Sequence, residues 1–175
     1  MQTQDIYWQA LGVPGLEASG DQGISDRGLE ADGFVIRNHS GSPLRLRYAL
    51  RYDTEWNPLE FRADSQLDGT HLHIFADGDH LLDERQHELP AVRGCTDIDI
   101  MATPFTNTPA IRRPGLRPGE SRDIDALFVR IPTLTLKCIV SATPVLTLVP
   151  PAVVTATRTW RVALRRSSRL MPPSW

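Results

Sequence analysis

The chain lacks most of what would assign it a chemistry on sight. It has only two cysteines in 175 residues, Cys95 and Cys138. Two thiols that far apart make neither a zinc ligand spacing nor a CxxC redox pair, and reduced thiols are the expectation. There is no P-loop, G-x-G-x-x-G, G-x-S-x-G or HExxH run, so no nucleotide fingerprint, nucleophile elbow or zinc-protease helix is present. No long apolar run exists either. The most apolar stretch, Cys138 to Val154, is interrupted by Ser141, Thr143, Pro144, Thr147, Pro150 and Pro151. It cannot serve as a spanning helix. The start, MQTQDIYWQALG, has no basic segment ahead of an apolar one, so no secretory leader is expected and a cytoplasmic location is. Acid is missing from the whole C-terminal part. All 21 acidic residues lie at or before Asp125, where 12 basic residues leave −9, and the remainder carries seven basic residues and no acid.

What is present reads as a β protein. Fourteen prolines and 12 glycines are scattered rather than clustered, which punctuates the chain into short strands. Phe34-Val35-Ile36 follows the turn signal Asp32-Gly33. After Ser40-Gly41-Ser42-Pro43, the segment LRLRYALRYD alternates: Leu44, Leu46, Tyr48 and Leu50 share one face, and Arg45, Arg47 and Arg51 the other. That two-residue period marks a half-buried strand. HLHIFAD repeats the pattern, with Leu72, Ile74 and Ala76 against His71, His73 and Phe75. DIDI at 97–100 is a short strand. DIDALFVRI at 123–131 has no polar face and is expected to be central in its sheet. A short helix is expected over Pro104 to Thr108, with Thr103 as its cap.

The stretch Gly94 to Arg113 reads GCTDIDIMATPFTNTPAIRR. It resembles the signature of the bacterial putative glycolipid-binding family. That signature runs Gly-Cys-x-Asp-Ile-Asp into Thr-Pro-Phe-Thr-Asn-Thr and closes on Ile-Arg-Arg. Gly94, Cys95, Asp97, Asp99, Thr103, Pro104, Phe105, Thr106, Asn107, Thr108, Ile111, Arg112 and Arg113 all match. Gly15-Leu16-Glu17, Arg47-Tyr48 with Asp53 and Trp56, and Pro132-Thr133-Leu134 are weaker matches. Pro109-Ala110 departs from the family's Leu-Pro. The resemblance covers about residues 7 to 137. It implies a mostly-β fold, a many-stranded sheet rolled around a single helix (a spiral β-roll), and a homodimer. It also implies a glycolipid or other amphipathic small molecule as ligand.

On this reading residues 1–137 form the β-roll domain and 138–175 an atypical basic, Pro-containing tail of low order. Past Lys137 the family expects Tyr-rich strands and an acidic close, whereas this chain has no acid, Tyr or Gly there. A frame shift near residues 134–138 accounts for that. In the shifted frame Val140 through Pro144 permit Gln-Arg-Tyr-Thr, and Pro151 through Thr157 permit Gly-Arg-Arg-Tyr-Arg-Tyr. The alternative is a genuine basic tail touching nucleic acid or anionic lipid. Nucleic acid is not the expected partner.

Candidate ligand-binding residues are Thr103, Phe105, Thr106, Asn107, Thr108, Arg112, Arg113 and Trp56. Hydroxyls and amides beside an aromatic suit sugars, and an Arg fork suits a carboxylate or phosphate head group. Gly94, Cys95, Asp97, Asp99 and Pro104 are read as structural. Asp97 and Asp99 share a strand face and could serve acid–base chemistry, but pairing with Arg112 or Arg113 is favoured. No catalytic residue, metal or cofactor is expected. The leading reading is a non-catalytic binding module. A hydrolase using Asp97 and Asp99 and a purely architectural or assembly domain are the alternatives.

Overall fold

A computed structural model describes residues 4–9, 15–25, 28–115, 122–142, 147–149, 153–156 and 160–163. Seven strands form one antiparallel meander in chain order: β1 (Gln4–Gln9), β2 (Gly15–Ser25), β3 (Gly28–His39), β4 (Ser42–Tyr52), β5 (Pro58–Ser65), β6 (His71–Asp77) and β7 (His80–Asp83). Three more, β8 (Asp97–Ile100), β9 (Asp123–Arg130) and β10 (Thr135–Ala142), make a second sheet with β9 in the middle. Its central place agrees with the absence of a polar face in DIDALFVRI. β8 pairs with β9 in parallel, which demands a crossover. That crossover carries the helix α1 (Asn107–Arg112). The short strands β11 (Thr147–Val149), β12 (Val153–Ala156) and β13 (Trp160–Ala163) form a separate small sheet among the described residues. The mostly-β roll with one short helix is therefore what the structure shows. β10 runs through residue 137, where the sequence placed a boundary, because its pairing with Asp123–Arg130 continues to Ala142.

The meander forms because its strands have one face to bury. On β4, Leu44, Leu46, Tyr48, Leu50 and Tyr52 are all at most 2% exposed, and Arg45, Arg47 and Arg51 face out. The same inner face takes Leu29, Ala31 and Val35 from β3, Phe61 and Ala63 from β5, and Ile74 from β6. Against it pack Ile98, Ile100, Leu127, Val129 and Phe105 from the second sheet and its crossover. The twenty-residue motif is thus built into the core.

Three expectations are corrected here. The helix begins at Asn107, three residues later than Pro104, and runs to Arg112. Thr103 does not cap it; its hydroxyl accepts the Phe105 N–H at 3.0 Å and closes a tight turn instead. Pro109 then sits in the first helical turn, where its missing N–H costs nothing. Finally, Cys95 and Cys138 are joined as a disulfide, with Cα atoms 6.1 Å apart, and are not free thiols. The pairing of β8, β9 and β10 brings them together across 43 residues of sequence, which linear spacing does not reveal.

Candidate functional site

The motif starts at Gly94, whose φ of 83° is a left-handed conformation that side chains disfavour. That turn aims Cys95 inward, where it is 2% exposed. Thr96 then donates its N–H to Asp125 O at 2.8 Å, and β8 begins.

Asp97 is 3% exposed and pairs with the Arg113 guanidinium. Arg113 also donates to Thr96 O at 2.8 Å and Thr96 Oγ1 at 3.1 Å. Burial pushes the Asp97 carboxyl up from the usual carboxylate range, and Arg113 pulls it back. Asp99 is raised by burial as well, with a hydrogen bond from Thr106 working against the rise. The preferred expectation, that an aspartate of this pair is held by a motif arginine, matches the Asp97–Arg113 contact. Arg112 does something different. It is exposed, and its guanidinium lies 5.8 Å from the centre of the Trp56 ring, within cation–π range.

Trp56 is held rigidly. Its φ is 69°, costly for a bulky residue. The preceding turn imposes it. Asp53 Oδ1 accepts the N–H groups of Glu55 and Asn57, each at 2.8 Å, and Oδ2 accepts Asn57 Nδ2 at 2.8 Å. Trp56 itself donates to Asp53 O at 3.2 Å.

Thr103, Phe105 and Thr106 are 2%, 3% and 3% exposed, and Pro104 is buried too. Phe105 belongs to the core, and the two threonines tie the crossover to it. Asn107 and Thr108 are half-buried, as are Trp56 and Arg113.

The structure also gathers residues that the sequence did not single out as a site. Glu17 on β2 is 3% exposed. Its Oε1 accepts the Tyr48 hydroxyl and the Thr103 hydroxyl, both at 2.5 Å. Tyr48 stands on β4 and reaches β2 by lying across β3 at Gly33. A Cβ there would fall 2.3 Å from the Tyr48 ring. Burial pushes the Glu17 carboxyl up to about 7, with the two hydroxyls opposing that rise. Four residues along β4, the Tyr52 hydroxyl is buried with no hydrogen-bond partner among the described residues. Burial raises its pKa first, then the nearby Asp97 charge, while Arg113 lowers it. The only hint of Glu17 in the sequence was Gly15-Leu16-Glu17. Alternation on β2 points the wrong way, because Leu16 and Ala18 are the exposed pair and Glu17 the buried residue.

Among the described residues no group of three or more His, Cys, Asp or Glu is placed to hold a metal ion. No helix among them is long and apolar enough to cross a membrane. His71 is exposed, and His73 lies 2.8 Å from Glu60 on the outer face of the sheet.

No curated protein matches the sequence. A crystal structure of a DUF1089 family protein from Pseudomonas aeruginosa is similar, with 36% identity and a TM-score of 0.64 over 77% of this chain and 73% of that one. Residues 5–142 match the family described as Putative glycolipid-binding. With that much of its length covered, including the whole Gly94–Arg113 corner, the chain belongs to the Putative glycolipid-binding family.

Proposed function

We propose that this protein binds an amphipathic glycolipid without transforming it, holding the polar head at the rim formed by Trp56, Arg112, Asn107 and Thr108. Arg113, Thr103, Phe105 and Thr106 support that rim from below. The observation that carries the reading is the Tyr52 hydroxyl. It is buried, it has no hydrogen-bond partner among the described residues, and it lies beside the Asp97–Arg113 pair. Buried hydroxyls are nearly always satisfied, and a ligand hydroxyl would complete this one. The clamped Trp56 seats Arg112 against its ring, a fork suited to an anionic or hydroxylated head. The family's name favours the same ligand class.

The test is mass spectrometry of lipid extracted from the purified protein, followed by titration of the recovered amphiphile. Tyr52→Phe should weaken binding about tenfold while leaving the fold as stable or more so, since it deletes an unsatisfied group. Protein that is repeatedly empty, or Tyr52→Phe binding like wild type, overturns the proposal. The architectural alternative predicts that Arg113→Ala destabilises the protein without altering any ligand.

A homodimer, tested by light scattering, remains part of the proposal. The cytoplasmic placement is set against the Cys95–Cys138 disulfide, which favours an oxidising compartment. Thiol titration of protein taken directly from cells decides between them.

A further inference from the structure

The outer face of the seven-stranded sheet has two unlike ends. Its cross-strand rows follow from the register. One row is Glu30–Arg51–Glu60, and the next is Asp32–Ala49–Arg62–His73. Here charge is answered by charge. Arg51 meets Glu30 at 3.4 Å and Glu60 at 2.9 Å, and Glu60 also takes Arg62 at 2.5 Å and His73 at 2.8 Å.

In the next two rows the composition changes. Ala18–Phe34–Arg47–Asp64 is followed by Leu16–Ile36–Arg45. Leu16 is 54% and Ile36 45% exposed. The β5–β6 turn is hydrogen-bonded alongside, Gln66 N to Arg45 O at 2.9 Å, and it carries Leu67 at 37%. Of the four exposed large hydrophobics among the described residues, Leu16 and Ile36 therefore lie side by side at one end of this face, and Leu67 lies in the adjoining turn. An open groove of about 580 Å³ runs along it, lined by Gly15, Leu16, Ile36, Arg37, Asn38 and Pro43 among others. Arg45 and Arg47 flank it and make no ion pair among the described residues. Arg47 stacks 5.8 Å from the Phe34 ring. Asp64 stands opposite Arg47, and Asp68 at the turn is occupied by the Thr70 N–H at 3.1 Å.

We propose that this end of the sheet is a docking face for an anionic lipid bilayer, with Leu16, Ile36 and Leu67 entering the interface and Arg45 and Arg47 meeting lipid phosphates. Two observations favour a bilayer. The first is the inversion of β2, which puts Glu17 inside and Leu16 and Ala18 outside. Glu17 is drawn inward by its two hydroxyl donors, and alternation then leaves Leu16 as apolar surface on the outer face. The second is charge. The chain up to Asp125 carries −9, yet the two exposed cations beside these apolar side chains make no ion pair among the described residues. Apolar residues ringed by arginine suit an anionic leaflet, which attracts basic side chains and accepts greasy ones. This inference does not depend on the ligand proposed above; a protein that carries no lipid can still dock.

The experiment is co-flotation of the full chain with vesicles of phosphatidylglycerol and phosphatidylcholine, and with phosphatidylcholine alone. Wild type should float with the anionic vesicles, and salt should weaken it. The double variant Leu16→Ser/Ile36→Ser should lose about tenfold in partitioning. Arg45→Ser and Arg47→Ser should each lose about fivefold and flatten the salt dependence. All four side chains are at the surface, so melting temperatures should match wild type and exclude misfolding. Wild type that stays unbound, or variants that float equally well, would sink the proposal. So would a dimer dissolved by Leu16→Ser/Ile36→Ser in a protein that ignores vesicles, which would make the face a seat for a second copy.

Discussion

Glu17 and Glu60 are two buried glutamates on the same sheet, one on each face, and their ionisation is driven in opposite directions. Glu17 looks inward. It has two hydroxyl donors and no cation among the described residues, and burial lifts it to about 7. Glu60 looks outward and is 8% exposed. Burial alone would raise it too, but Arg51, His73 and Arg62 outweigh that and bring it down to about 2. Burial pushes both carboxyls up, and the shift reverses only at Glu60, where cationic partners outweigh it.

The sharpest way to break the contrast is Arg113→Ala. It leaves Asp97 buried without its bonded guanidinium, with only the Thr96 hydroxyl at 3.0 Å and the field of Arg122 to hold its charge. Removing one partner of a buried pair costs about 3–5 kcal/mol, and urea unfolding at neutral pH should show a loss near that size.

Glu17→Gln comes next. The folded pKa near 7 lies above the reference 4.5, so the native state holds the extra proton between those values. Stability then falls as pH rises from about 4.5 to about 7, by about 3 kcal/mol for this group. The glutamine variant should lack that slope, read from urea melts at pH 5 to 8. Equal slopes in the two proteins would refute the assignment.

Glu60→Gln is the mildest. With its folded pKa below 4.5, Glu60 adds stability that is present above about pH 4.5 and lost as pH falls through about 2. Its cations are half exposed, so solvent screens them, and the variant should cost about 1 kcal/mol at pH 7. The gap should close in acid, measured by the same melts.

The contrast also explains what the sequence could and could not disclose. β4 was legible because every inner residue is large and apolar and nearly every outer one charged. β6, β8 and β9 were legible for related reasons. β2 was not: its inner face offers Glu17 in place of a hydrophobe, so the apolar period runs backwards. The helix slipped three residues because Pro104 looks like a helix start but is used in a turn closed by Thr103. At the site, Asp97 with Arg113 could be foreseen from two acids and two arginines in one motif. The seating of Arg112 on Trp56 could not, since it joins residues 56 apart through a turn whose shape depends on Asp53. The Cys95–Cys138 disulfide was hidden for the same reason. It joins the segment before β8 to β10, and only three-dimensional strand order makes them neighbours.

Gly33 has a bearing on how this protein can change. Tyr48 spans a strand because position 33 offers no side chain, so the two sites are one unit for mutation. Adding even a methyl at 33 should pry the phenol off Glu17, and the damage should be repaired by a smaller residue at 48 rather than by any change nearer to 33. Variation at these positions is then a paired event, and a lineage that fills the gap must find another way to keep a carboxyl in its interior.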